Sequence, residues 1–191
     1  MSQPVFTLIA GANGAGKSTL TSGNPDSFSA SPLLDPDTFA RPLRSTSPAT
    51  PIAAGREVLR LASLYLSRGE TFTVETTLSG KNYLSLMRTA RVKGFDVVLV
   101  YIGTEDVEIN LARIAKRVQG GGHDVPEVDV RRRYRRSFDN LPVATVYADH
   151  SLLFDNSSLQ GYQLVALLSA AGSQWFEPVP RWAAALRDLK R

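Results

Sequence analysis

The chain has 191 residues, 43% of them hydrophobic, with no cysteine, two histidines, and 22 basic against 18 acidic side chains for a net charge of +4. That length suits one compact α/β domain over residues 1–191, and the missing cysteines exclude a disulfide framework, a thiolate nucleophile and a cysteine-based zinc site. The mild positive balance suits an anionic small-molecule substrate and is too small to argue for nucleic acid. No stretch approaches the roughly 20 apolar residues of a membrane span and no basic segment precedes the first apolar run, so the expected location is cytoplasmic, off the membrane.

Val5 to Ala10 reads as a buried first strand. Directly after it, Gly11, Ala12, Asn13, Gly14, Ala15, Gly16, Lys17 and Ser18 spell the GxxxxGK[ST] phosphate-binding loop. Glycines let successive backbone N–H groups turn inward around phosphates, Lys17 reaches the β and γ oxygens, and the Ser18 hydroxyl takes a position on Mg²⁺. Thr19 and Leu20 begin the helix whose N-terminus faces the anion. Gly11 to Thr19 are therefore expected to hold a nucleoside triphosphate, and any divalent metal should arrive with it.

Ser22 to Pro32 reads as irregular, and Leu33 to Phe39 as a short extended segment turning into a helix. Thr50-Pro51 looks like a helix start, with Thr as cap and Pro in the first position. Ala54, Val58, Leu61, Ala62 and Tyr65 share one face of that helix, which Gly69 ends. Phe72-Thr73-Val74 is a core strand ending at Glu75. Tyr83, Leu84, Met87 and Ala90 form the next helical stripe, Gly94 stops it, and Phe95 to Ile102 is a strand apolar enough to want cover on both faces.

Thr104-Glu105-Asp106 opens another helix, carried by Val107, Leu111, Ile114, Ala115 and Val118 to Gly120-Gly121-Gly122. Asp124 and Glu127 are placed to cap the following helix reciprocally, and Val130, Tyr134, Phe138 and Leu141 form its apolar stripe. Ser151 to Phe154 and Gln163 to Leu168 are late strands, and Arg181 to Arg191 an amphipathic terminal helix. Alternating strand and helix signals predict a three-layer α/β P-loop fold with a mainly parallel sheet.

Three groups of residues could serve phosphoryl transfer. Asp35 and Asp37 stand at the carboxyl end of a short apolar segment, where open α/β sheets place ligands. Either suits a base accepting the proton of an acceptor hydroxyl, and the same Asp-Pro-Asp also fits a turn with a helix cap. Glu75, Thr76 and Thr77 follow a core strand, where Glu75 suits Mg²⁺ or a substrate hydroxyl and Thr77 a sugar or phosphate oxygen. Arg113 and Arg117 on one helix and Arg131, Arg132, Arg133, Arg135 and Arg136 on the next flank the Gly120 to His123 hinge, like the arginine-bearing helical lid of a small kinase. Arg132 and Arg136 lie opposite the apolar stripe and Arg131 and Arg133 beside it, so only some of the five can meet a phosphate. His123 is given no acid or base role. Phe154-Asp155-Asn156-Ser157 reads as a turn or as part of the adenine and ribose edge.

Together, Gly11 to Thr19, Asp35-Pro36-Asp37, Glu75 to Leu78, Arg113 with Arg117-Val118, Gly121 to Pro126, Arg132-Arg133-Tyr134 and Phe154 to Ser157 resemble the short branch of the zeta toxin family of P-loop kinases, in order from about Val5 to Ser157. Family toxins use ATP and Mg²⁺ to phosphorylate the amino sugar of UDP-N-acetylglucosamine and are held by a small helical antitoxin. The resemblance implies a nucleotide-sugar or similar acceptor, with Asp37 as base and Glu75 and Thr77 holding the acceptor. It also implies that Lys17, Arg117 and one of Arg132 or Arg133 stabilise the transferring phosphoryl group. The chain departs from the toxins at Ser79, where they tend to carry arginine, and in its Gly-Gly-His-Asp-Val-Pro lid sequence. Competing readings are an antibiotic or nucleoside phosphotransferase, a nucleic-acid-binding ATPase or polynucleotide kinase, and an interaction protein that binds ATP without turnover.

Overall fold

Period-two alternation sorts the central strands into two unlike faces. In the computed structural model, which describes residues 3–24, 31–36, 39 and 51–187, strands β1 (Val5–Ala10), β3 (Phe72–Thr76) and β4 (Asp96–Gly103) run side by side and parallel. Their register aligns Phe6 with Phe72 and Val97, and Leu8 with Val74 and Leu99. These residues share one face and are all fully buried. Ile9 aligns with Glu75 and Val100 on the opposite face, so the alternation that buries Phe72 and Val74 in the core sends Glu75 the other way.

Seven strands make one sheet in the order β2-β3-β1-β4-β5-β6-β7. β2 (Leu33–Leu34) and β5 (His150–Asp155) extend the parallel part. β6 (Gln163–Ser169) and β7 (Gly172–Trp175) add an antiparallel edge. The helices are α1 (Lys17–Gly23), α2 (Pro51–Arg68), α3 (Asn82–Val92), α4 (Val107–Gln119), α5 (Glu127–Tyr147) and α6 (Arg181–Arg187). One core joins Val58 and Ala62 of α2, Met87 of α3, Leu141 of α5 and Ala183 of α6 to the Phe6, Phe72 and Leu99 face of the sheet. Phe72 is its centre, stacked on Phe6 and Tyr65 and edge-on to Phe95. α1 lies toward the Glu75 face. There β4 is less fully covered than its apolar run suggests, with Val98 half-buried while Val100 and Ile102 are buried.

Several boundaries differ from the sequence reading. β3 continues through Glu75 to Thr76, because parallel pairing with β1 satisfies its backbone for two more residues. α1 starts at Lys17 and takes in Ser22 and Gly23. The reciprocal cap of α5 is absent: the chain enters through Pro126 with no side-chain cap, Asp124 accepts from the Val125 N–H at 2.7 Å, and Glu127 turns to Arg131. Asp124 lies two residues before the cap position, too early to reach the first free N–H groups. β7, Gly-Ser-Gln-Trp, has no apolar run to betray it. Thr50 and residues 188–191 lie outside the described residues.

Replacing Phe72 with alanine empties the middle of the aromatic stack, and we expect a loss of about 3–5 kcal/mol of stability. Equilibrium urea unfolding measures it; a loss below about 1 kcal/mol would contradict this packing.

Candidate active site

The loop after β1 is shaped by side chains that seize its carbonyls from outside. Asn110 Nδ2 donates to the Asn13 carbonyl at 2.7 Å, Asn156 Nδ2 to Ala15 at 2.8 Å, and the Tyr162 hydroxyl to Gly16 at 2.7 Å. In a trans peptide the C=O and the following N–H point in opposite directions. Holding these three carbonyls outward therefore turns the N–H groups of Gly14, Gly16 and Lys17 into the loop, an arrangement chemically suited to an anion. The tethers also explain two glycines. Gly14 (φ +78°) and Gly16 (φ +108°) are left-handed, and a Cβ would stand 2.6 Å from the Asn110 carbonyl oxygen and 2.5 Å from Asn156 Nδ2 respectively.

Asn110 is itself locked. It is fully buried, and its Oδ1 accepts from the Thr104 hydroxyl at 2.5 Å. The Tyr134 hydroxyl donates to the Thr104 carbonyl at 2.7 Å. Burial, helped by the negative charges of Asp106, Glu105 and Asp155, pushes the Tyr134 phenol up to about 12, so it remains a donor across the neutral range. This chain of bonds carries α5 to the loop through three residues.

Inside the loop the polar centre is Glu75. It is 5% exposed, Ser18 donates its hydroxyl to Oε1 at 2.9 Å, and Lys17 Nζ stands 3.9 Å from the same oxygen. Lys17 Nζ also donates to the Ala12 carbonyl at 3.3 Å. The register that pairs Ile9 with Glu75 produces this meeting, since Ile9 is two residues from the start of the loop. A hydroxyl and a carboxylate side by side are hard oxygen donors of the kind Mg²⁺ takes together with phosphate oxygens, so the residues present fit that ion. Among the described residues no three His, Asp or Glu gather to hold a metal without such help.

Beyond β3 the chain turns sharply at Leu78, which is left-handed (φ +55°) although its side chain is fully buried. A leucine there costs on the order of 1–2 kcal/mol. The conformation is held by the Leu78 N–H on Thr76 Oγ1 at 3.1 Å and by Asn140 Nδ2 on the Leu78 carbonyl at 2.8 Å. The turn carries Thr77 and Ser79, whose hydroxyls are 2.9 Å apart. Tyr83 lies beside them: burial raises its phenol, a hydrogen bond with Thr76 opposes that, and the charge of Asp35 adds to it. Asp35 follows directly on Leu34, which pairs with Val74, and so lies toward the carboxyl end of β3. Asp37 lies outside the described residues.

The arginines separate into distinct settings. Arg133 is half-buried and its Nη1 donates to Asn13 Oδ1 at 3.2 Å, directly on the loop. Arg132 is exposed and paired with Asp129 at 2.6 Å. Arg131 bridges Glu108 of α4 and Glu127 at 2.6 and 2.7 Å. Arg117 turns to the hinge, where its Nη2 donates to the His123 carbonyl at 2.7 Å. The structure thus gathers Lys17, Ser18, Glu75 and Arg133 at the loop and places Arg117 and Arg132 apart from it. Asn110 and Tyr162, which shape the loop, carry no site signal in the sequence; Tyr134 reads there as a core position and as part of the Arg132-Arg133-Tyr134 motif, and Asn156 as part of the Phe154 to Ser157 motif, a turn or base edge.

Comparison with known proteins gives the family and the fold. The family model described as Zeta toxin matches residues 1–158. An uncharacterized protein of Haemophilus influenzae is 42% identical over 128 residues, covering 66% of this chain and 90% of that protein. Among solved structures, a chain of the AvrRxo1-ORF1:-ORF2 structure with ATP superposes with a TM-score of 0.71 at 16% identity over 91% of this chain. This chain spans 60% of that one. A chain of the PezAT chromosomal toxin-antitoxin system of Streptococcus pneumoniae superposes with a TM-score of 0.62 at 18% identity, covering 90% of this chain and 76% of that one. At such identities these two likenesses speak for the fold.

Asn110→Ala frees the Asn13 carbonyl and strands the Thr104 hydroxyl. We expect a stability loss of about 1–3 kcal/mol and ADP binding weakened about tenfold or more. Equilibrium urea unfolding checks the first and calorimetric titration with ADP the second, and native affinity in the variant would contradict the tethering role.

Proposed function

The chain belongs to the zeta toxin family, and on that premise we propose that it is an ATP-dependent kinase that transfers the γ-phosphate to a hydroxyl of a small molecule. The proposed acceptor is a nucleotide sugar such as UDP-N-acetylglucosamine. The observation that carries the reading is the meeting of Lys17, Ser18 and Glu75 at the carboxyl ends of β1 and β3.

In this reading the inward N–H groups of the loop and Lys17 hold the phosphates. Ser18 takes a place on Mg²⁺, which when bound neutralises charge on the β and γ oxygens. Glu75 keeps the Ser18 hydroxyl in place on one side and, with Thr77, grips the acceptor on the other. Asp37 accepts the proton of the acceptor hydroxyl as the phosphoryl group leaves ATP.

Positive charge comes from α4 and α5. These helices share a small cluster of Ile114, Val125 and Val130, distinct from the main core, with Val107 and Leu111 against it. This cluster joins α4 to the first turn of α5, whereas Leu141 farther along α5 belongs to the main core, so the proposed lid is confined to α4, the Gly120 to His123 turn and the start of α5. Arg133 rests on a neutral amide oxygen, a weaker acceptor than a phosphate oxygen, and exchanges one for the other when ATP binds. Arg117 is proposed to follow as the hinge closes. A protein partner of the antitoxin type and a cytoplasmic location belong to the same proposal. Among the described residues no helix is long and apolar enough to cross a membrane.

The test is incubation with ATP, Mg²⁺ and a panel of UDP-sugars, using the native protein, Asp37→Asn and Asp35→Asn, with mass spectrometry of the products. We expect a phosphorylated UDP-N-acetylglucosamine from the native protein and a loss of transfer of at least about a hundredfold in Asp37→Asn. ATP consumed without a phosphorylated sugar would overturn the acceptor, and transfer abolished only by Asp35→Asn would overturn the base.

A further inference from the structure

The C-terminal helix α6 has no task in the account so far, and it lies beyond residue 158, where the match to the zeta toxin model ends. Its second residue, Trp182, makes a bond that reaches toward the site. The indole Nε1 donates to Asp155 Oδ1 at 2.8 Å, at the end of β5. Asp155 is 8% exposed, and a carboxylate so enclosed needs donors in place of water. Its other donors both come from Ser157, whose N–H reaches Oδ2 at 3.0 Å and whose hydroxyl reaches Oδ1 at 2.8 Å. The segment is therefore a turn, closed by Asp155 on Ser157.

Between these two residues stands Asn156, whose Nδ2 holds the Ala15 carbonyl outward. α6 secures the surroundings of Asn156 at two further points. The Trp182 ring lies against Gly103, where a Cβ would stand 2.4 Å from it, and the Gly103 carbonyl accepts the Asn156 N–H at 2.9 Å. The Arg181 N–H donates to the Glu105 carboxylate at 2.7 Å, and the Glu105 N–H donates to the Ser157 hydroxyl at 2.8 Å. The end of β4, the end of β5 and the start of α6 are thus tied together around the residue that tethers the loop. Trp182 is also seated by packing, its ring centroid 5.6 Å from Tyr101 and 5.7 Å from Phe138. A buried indole N–H finds some partner in most folds; here the partner adjoins the loop tether.

We propose that Trp182 is a positioning residue for the nucleotide loop: through Asp155 it fixes the turn that aims Asn156 at the Ala15 carbonyl, and so makes α6 part of the phosphate site without touching it. This rests on the nucleotide reading above. When the turn is loosened, the Ala15 carbonyl is free to rotate inward against a phosphate oxygen, and the Gly16 N–H turns away with it. Binding must then reorder the loop, and affinity falls by that cost.

The experiment is calorimetric titration with ADP of the native protein, Trp182→Phe, Asn156→Ala and the double variant, together with the melting temperature of each protein without nucleotide. Phenylalanine keeps a ring beside Tyr101 and Phe138 and removes the donor. In Asn156→Ala the Asn110 and Tyr162 tethers remain, so binding stays measurable. We expect Trp182→Phe to weaken ADP binding by about three- to tenfold in the native background. In the Asn156→Ala background, where the tether is already gone, the same change should weaken it by less than about twofold. A tryptophan with only a structural role would lower the melting temperature and leave ADP affinity native, or would lower affinity equally in both backgrounds. Either result would overturn the proposal. A native protein that binds no ADP would overturn the nucleotide reading itself, an outcome distinct from a failure of Trp182 alone.

Discussion

The site is organised around one buried carboxylate, Glu75, held between the Ser18 hydroxyl and the Lys17 ammonium. Charges taken out of water pay heavily in desolvation and recover that cost only with good geometry. The Lys17 to Glu75 separation of 3.9 Å is long for a direct hydrogen bond, so the pair is poor evidence for stability and better understood as a polar centre kept for what it does. The register of β1 on β3 and the alternation of β3 together force it, since a slip by one residue would turn Glu75 into the aromatic core and move Phe72 and Val74 to the opposite face.

The loop around this carboxylate owes its form to distant parts of the chain. Asn110 from α4, Asn156 from the end of β5 and Tyr162 from the approach to β6 each hold one carbonyl. Fixing dipoles before a ligand arrives is what makes a phosphate site effective, because little reorganisation remains when charge moves. The same bonds connect the loop to α4 directly and to α5 through Thr104 and Tyr134. Arg133 touches Asn13 as well, so the helices proposed to close over the nucleotide are already in contact with the loop they would cover.

Much of this was legible in the sequence. The loop motif, the strand before it, the long β4 and the stripes of α2 and α3 are local patterns, and the structure bears them out; on α4 the expected stripe holds at Val107, Leu111 and Ile114 but not at Ala115 and Val118, which are exposed. The flanking positions predicted for Arg131 and Arg133 also hold, as both are half-buried while Arg132, Arg135 and Arg136 are exposed. The tethers were not legible, because their partners lie 97, 141 and 146 residues apart and a lone Asn or Tyr carries no periodic signal. The end of β3 was misjudged because Glu, Thr and Thr resemble a strand terminus, whereas pairing with β1 keeps Glu75 and Thr76 within the sheet. The expected cap at Asp124 and Glu127 matched a four-residue pattern, and Pro126 set the helix start later than that pattern assumes.

The most direct test of this account is the Mg²⁺ dependence of ATP binding in the native protein and in Glu75→Gln, which keeps the shape and removes the charge. If Glu75 organises Ser18 for the metal, Mg²⁺ should strengthen ATP binding to the native protein and do so by at least about tenfold less in the variant, while Mg²⁺-free ATP binds both, since the inward N–H groups and Lys17 remain. An unchanged Mg²⁺ effect in Glu75→Gln would contradict the central place given to this carboxylate.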